Sequence, residues 1–158
     1  MSVPVRGAAL PIWRLILPVL WFGMVAAISF LEAPLKFQAP GITIPLGLGI
    51  GRLVFFALNV AEGAILVALV IVTLWPRIEP SLRASRAQLG VLAALFVVFL
   101  AKILFVRPPL NARTDLVLAG ANPGQSPWHY VYIAADVATM ALLVACMVLA
   151  ARRLTPRR

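Results

Sequence analysis

Long apolar runs, separated by short clusters of proline, glycine and basic residues, set the pattern of this 158-residue chain. The runs occupy roughly 15–31, 52–74, 89–106 and 128–151. A helix that crosses a bilayer needs about 20 mostly apolar residues, and each run reaches or approaches that length. The pattern therefore predicts an all-α integral membrane protein, a four-helix transmembrane bundle with spans at about 12–32, 52–74, 89–106 and 128–151. No stretch is long and polar enough for a second domain, so residues 1–158 read as a single membrane domain. Arg6 and Arg14 ahead of Val25-Ala26-Ala27 resemble a signal peptide superficially. The run is longer than the apolar part of such a peptide and continues past the cleavage-like site, so the first helix is expected to be retained.

The interruptions carry their own expectations. Ala33-Pro34 should end or kink the first helix, because proline lacks a backbone donor and crowds the preceding turn. Residues 37–51 are uncharged and apolar but hold two prolines and four glycines. Non-helical backbone survives at membrane depth only against protein or a wet cavity, so this segment is predicted to be an interfacial or shallow re-entrant cap between helices 1 and 2. Its Gly47, Gly49 and Gly51 do not make a nucleotide loop, since no strand precedes them and no βαβ unit follows. Trp75-Pro76-Arg77 has the aromatic and basic signature of a membrane interface, and a polar linker with Arg83 and Arg86 follows to residue 88. Arg107-Pro108-Pro109 is expected to end the third helix and open a loop to about Pro127, with a turn at Asn122-Pro123-Gly124.

Composition agrees with this reading. Hydrophobic residues make up 63% of the chain and charged ones 12%, about half of the ~25% usual for soluble domains. The net charge of +9, taken alone, would also suit a nucleic-acid surface. The basic residues stand instead at the ends of apolar runs, as topology signals do, and no nucleic-acid partner is expected. With the N-terminus inside, the inner face would hold Arg6, Arg14, Arg77, Arg83, Arg86, Arg152, Arg153, Arg157 and Arg158, which is nine. The outer face would hold four, Lys36, Arg52, Arg107 and Arg113. That bias predicts both termini in the cytoplasm, in the inner membrane of a bacterium, whose GC-rich genome the abundant alanine, arginine and proline suit.

Candidate chemistry lies inside the spans. Three of only five acidic residues, Glu32, Glu62 and Asp136, fall within or at the edge of apolar runs, and Lys102 lies within the third. A charge at the bilayer centre costs about 2.5–3.5 kcal/mol on insertion scales, so such groups face the bundle interior or a wet cavity. At about 1.5 Å of rise per residue, Glu62 sits roughly 15 Å below Arg52, Asp136 about 10 Å below His129, and Lys102 about 8 Å below Arg107. All of them would lie in the outer half. Arg52, Asn59 and Glu62 fall on one helical stripe, as do His129, Tyr132, Asp136 and Thr139, and Ser29 neighbours Glu32. Turned inward, these stripes predict an outward-facing polar pocket lined by Glu32, Arg52, Asn59, Glu62, Lys102, His129, Tyr132 and Asp136. With three acids against two bases, one carboxylate is left to take up a proton or a cation. The competing reading is structural: Lys102 pairs with Asp136 or Glu62, and Arg52 with Glu32, as polar glue between helices.

Metal and cofactor chemistry is not indicated. His129 is the only histidine and Cys146 the only cysteine, which excludes bis-histidine haem ligation and any disulfide within the chain. The two lie seventeen residues apart on one helix, about 25 Å, too far to share a metal. A mixed site of His129, Glu32 and Asp136 is the one metal arrangement left open, and none is predicted. No nucleophile elbow, zincin motif or P-loop is present, so no sequence motif supports catalysis.

Trp21-x-Gly23, Ala33-Pro34-x-x-Phe37, the glycine-rich turn into Gly51-Arg52-Leu53-Val54-Phe55 and the late His129 together resemble the transmembrane protein 205-like family of small membrane proteins. The resemblance implies a four-helix membrane fold and no function for Glu32, Glu62 or Asp136. Two roles are thus expected from the sequence. One is a transporter-like protein that binds or moves a proton, cation or small polar solute. The other is a non-catalytic accessory subunit, in which alanine-rich faces such as Ala134, Ala135 and Ala138 pack against a second copy or a larger membrane complex.

Overall fold

The computed structural model describes residues 6–75, 83–124 and 126–154, with side chains from Leu10 onward. Pro76 lies outside the described residues, as do Arg77, Arg157 and Arg158, which enter the charge count above. The described chain is helical apart from short connections, and four helices are long and apolar enough to cross a membrane: α1 (Leu10–Gln38), α2 (Ile44–Leu74), α3 (Arg86–Leu118) and α4 (Pro127–Leu154). The connections between α1 and α2 and between α3 and α4 lie at one end of the bundle, here the Thr43 end. The opposite end is the Trp75 end.

Local chemistry accounts for the helix starts. The Leu46 N–H donates to the Thr43 hydroxyl (3.4 Å) and Pro45 occupies the first turn of α2, where its missing donor costs nothing. Ser85 and Gln88 form a capping box on α3, with the Gln88 N–H donating to Ser85 Oγ (3.2 Å) and the Ser85 N–H to Gln88 Oε1 (3.0 Å). The Trp128 N–H donates to Ser126 Oγ (3.3 Å) at the start of α4. Helix α3 ends on Gly120, whose φ of +88° allows Ala121 to donate back to Leu116 O and Gly120 to Val117 O. This is a Schellman closure that an L side chain would strain.

Three expectations about the interruptions are corrected. Pro34 does not end α1. A π-helical turn over Ala26–Glu32 precedes it, and the helix continues through Ala33–Leu35 to Gln38; the widened turn accommodates the proline ring and its absent donor. The same device appears in α3, where a π turn over Lys102–Val106 precedes Pro108-Pro109 and the helix runs on to Leu118. The expected loop therefore begins only after Leu118. Finally, most of 37–51 is not an irregular cap, because α2 starts at Ile44 and carries its glycines inside the helix. Gly47 and Gly51 are the notches where the end of α1 lies against α2. A Cβ at Gly47 would strike the Phe37 ring, and one at Gly51 would come within 2.8 Å of Lys36 Nζ.

The apolar core occupies the half of the bundle toward the Trp75 end and is built from Leu17, Trp21, Val25, Ile65, Leu66, Leu69, Leu92, Leu95 and Leu143. Large apolar side chains such as Leu53, Val60, Val67, Val97, Phe105 and Val137 are exposed on the perimeter, where lipid would cover them. Arg14, counted above with the inner face, does not extend to the headgroups. It is buried and donates from Nε to Val72 O (3.0 Å) and from Nη2 to Thr73 O (3.2 Å). The last turn of α2 has unpaired carbonyls and a negative dipole end, and the guanidinium satisfies both.

Candidate functional site

Above the apolar core, toward the Thr43 end, the four helices converge on a buried polar cluster. Lys102 enters it from the first position of the α3 π turn. Its Nζ lies 2.8 Å from Asp136 Oδ1 and 2.8 Å from the Glu62 carboxylate. All three side chains are 0–1% exposed. Glu62 Oε1 accepts from Lys102 (2.8 Å) and from the Trp21 indole N–H (2.9 Å). Glu62 Oε2 stands as close to the ammonium but has no aligned donor. Asp136 Oδ2 accepts a 2.6 Å hydrogen bond from Ser29 Oγ, and Ser29 itself sits in the α1 π turn. Single π turns inside α-helices recur at functional sites because they re-aim side chains. Here both of them deliver a group to the same cluster.

A second layer closes the cluster on the side of the Thr43 end. The Tyr132 ring lies 5.2 Å from Lys102 Nζ, in cation–π position. The Tyr132 hydroxyl accepts from Asn59 Nδ2 (3.3 Å) and lies 3.4 Å from Asn59 Oδ1. Asn59 Nδ2 also donates to Phe55 O (2.6 Å), and the Phe55 ring meets the Tyr132 ring edge to face at 5.3 Å. Thr139 donates to Ala135 O (2.8 Å) one turn below Asp136.

The cluster holds two carboxylates against one ammonium. Desolvating an ion costs several kcal/mol even after relaxation, and only close pairing with further hydrogen bonds offsets it. Lys102 repays that cost through both acids, and Trp21 and Ser29 add a neutral donor to each. The two acids thus share one ammonium, and the cluster has one more acidic than basic group.

The expected lining residues divide into two groups. Asn59, Glu62, Lys102, Tyr132 and Asp136 come together as anticipated, as a closed cluster rather than an open pocket. Glu32, Arg52 and His129 do not join it. Glu32 pairs with Lys36 one turn on (3.3 Å), and that ammonium also lies 5.6 Å from the Phe37 and Phe55 rings. Arg52 pairs with Asp115, not with Glu32; the continuation of α3 to Leu118 brings that carboxylate alongside α2. His129 is exposed at the start of α4, edge to face with Tyr130 at 6.0 Å. No group of three or more histidine, cysteine or carboxylate side chains is placed to hold a metal ion among the described residues. Trp21 and Ser29 were missing from the expected set. Their signal was a buried stripe of α1 running through Arg14, Trp21 and Val25, along which Ser29 follows at the next helical return.

No protein-family model, no curated protein and no solved structure matches this chain.

Proposed function

We propose that the protein is a small transporter-like membrane protein in which the Glu62–Lys102–Asp136 cluster takes up a proton or a small cation from the Thr43 side. The observation that carries this reading is the charge count of a fully buried site: two carboxylates from two helices share a single ammonium from a third. The surplus charge is neutralised when one proton or one monovalent cation enters. Intramembrane ionisable groups of this kind mark ion and proton pathways more often than lipid-facing surfaces. In this reading the protein lies in the inner membrane of a bacterium, and the bias of basic residues supports cytoplasmic termini with the Thr43 end outside. The likeness to the transmembrane protein 205-like family agrees with the four-helix architecture, and the functional reading rests on the cluster.

The test is flux in proteoliposomes loaded with a pH indicator, with outward-directed Na+ or K+ gradients imposed in turn. The native protein is expected to move protons or the cation. Glu62→Gln and Asp136→Asn are each expected to abolish at least nine-tenths of that flux while eluting as folded protein. Flux that persists in both variants, or is absent from the native protein under all gradients, defeats the proposal.

A second reading, the accessory subunit, is favoured by how nearly complete the hydrogen bonding is: of the cluster's polar side-chain atoms, Glu62 Oε2 alone lacks an aligned partner. A double-mutant cycle separates the two. If Glu62→Gln and Lys102→Met each destabilise the bundle and the pair restores it, with no flux in the native protein, the cluster is structural glue.

A further inference from the structure

Several features of the fold recur at one interval. Pro34 and Pro108 each follow a π turn, and Glu62 and Asp136 are the buried carboxylates of α2 and α4; in both pairs the partners are 74 residues apart. The same interval joins buried Trp21 to buried Leu95 on α1 and α3, and buried Leu69 to buried Leu143 on α2 and α4. Helical periodicity alone would align one pair of helices at several offsets three or four residues apart. It would not make a single offset hold for both pairs of helices, both π turns and the prolines that follow them. The α1–α2 hairpin therefore maps onto the α3–α4 hairpin. Both hairpins start at the Trp75 end, so the axis relating them runs along the bundle, as in transporters built from parallel repeats, whose binding sites lie at the repeat interface.

Under this mapping Glu62 and Asp136 stand on opposite sides of the axis, and both reach the same ammonium at 2.8 Å. The lysine breaks the symmetry, because position 102 corresponds to half-buried Ile28. We propose that the chain is two copies of one helical hairpin, and that Glu62 and Asp136 are the equivalent walls of a monovalent-cation site on their shared axis, which the Lys102 ammonium fills as a tethered occupant. Two carboxylates and the Tyr132 face are a donor set suited to a primary ammonium or an alkali cation of similar size. Tethering the cation to one hairpin explains why a repeat with two acids carries a single base. The site is defined by the repeats and does not require that anything cross the membrane.

Two stability measurements in detergent test this apart from any flux. In Lys102→Met the site is vacated, so methylammonium or K+ chloride is expected to raise its Tm in a saturable way, by several degrees above the effect of N-methylglucamine chloride at equal ionic strength. Methylammonium should do so far less for the native protein, whose own ammonium already occupies the site. In the second arm, Ile28→Lys is added to Lys102→Ile, which returns the ammonium from the opposite hairpin. The double variant is expected to recover at least half of the Tm lost by Lys102→Ile, or, if that single variant does not accumulate, to yield monodisperse protein where the single one yields none. A vacated site indifferent to the small cations overturns the cation site. A double variant no better than Lys102→Ile overturns the repeat.

Discussion

At the residue scale, the buried cluster ranks its members by what each leaves behind when removed. Trp21 donates one hydrogen bond to Glu62 Oε1, which keeps the ammonium of Lys102 as a partner. Trp21→Phe keeps an aromatic ring in place, so its cost should be mainly that of one charge-assisted hydrogen bond, about 1.5–3 kcal/mol. Lys102→Met is different in kind, since it strands two carboxylates within a few ångströms of each other in a dry interior. Breaking a buried pair by removing one partner costs about 3–5 kcal/mol. Denaturation in mixed micelles should therefore place Lys102→Met well below Trp21→Phe. Equal losses would mean that the cluster is wetter than its burial indicates. The convergence of Glu62, Lys102 and Asp136 was legible in the sequence because unpaired charge is so costly in an apolar run that such residues must find each other. Asp115 was not legible as a partner of Arg52, since it had been assigned to a loop, and a loop residue has no predictable face.

At the element scale, proline and glycine are where sequence reasoning and the fold part company. The sequence predicts four spanning helices and four are found among the described residues, because about twenty apolar residues in a row admit few other solutions in a bilayer. Their ends were misjudged wherever a breaker was taken to break. Pro45 occupies the first turn of α2, where no donor is needed, while Pro34 and Pro108 follow π turns that make room for them. A proline in the sequence does not say whether the helix breaks or takes up a π turn, and here both π turns also carry a residue of the buried cluster, Ser29 and Lys102. The glycines of α2 likewise serve packing rather than irregular backbone, and they should not be equivalent. An added Cβ at Gly49 meets only Leu118 Cδ2 at 3.8 Å, an ordinary contact, whereas at Gly47 it strikes the Phe37 ring. Gly49→Ala should stabilise the protein slightly, since alanine is favoured over glycine by about 1 kcal/mol in a helix interior. Gly47→Ala should lose that gain and destabilise, as the ring is driven from its notch. Thermal unfolding of the two variants in the same detergent checks the difference in sign.

At the scale of the whole molecule, the buried cluster is displaced toward the Thr43 end, with the apolar core filling the other half. That polarity makes orientation the property on which any function depends, because it decides which compartment the cluster lies nearer. Among the described side chains the Trp75 end carries Arg14, Arg83, Arg86, Arg152 and Arg153, and two of these are already engaged with backbone: Arg14 closes α2 and Arg153 donates to Arg83 O (2.6 Å). The Thr43 end pairs two of its cations with acids, Lys36 with Glu32 and Arg52 with Asp115. Acidic residues contribute little to topology, so it is the number of lysines and arginines that favours the Trp75 end as cytoplasmic. The prediction is direct. With Cys146 replaced by alanine, Asn122→Cys in the exposed turn between α3 and α4 should react with a membrane-impermeant maleimide added to intact cells, and Arg83→Cys should react only after the membrane is opened. The opposite labelling pattern would turn the cluster toward the cytosol, and a proton or cation would then have to approach it from inside the cell.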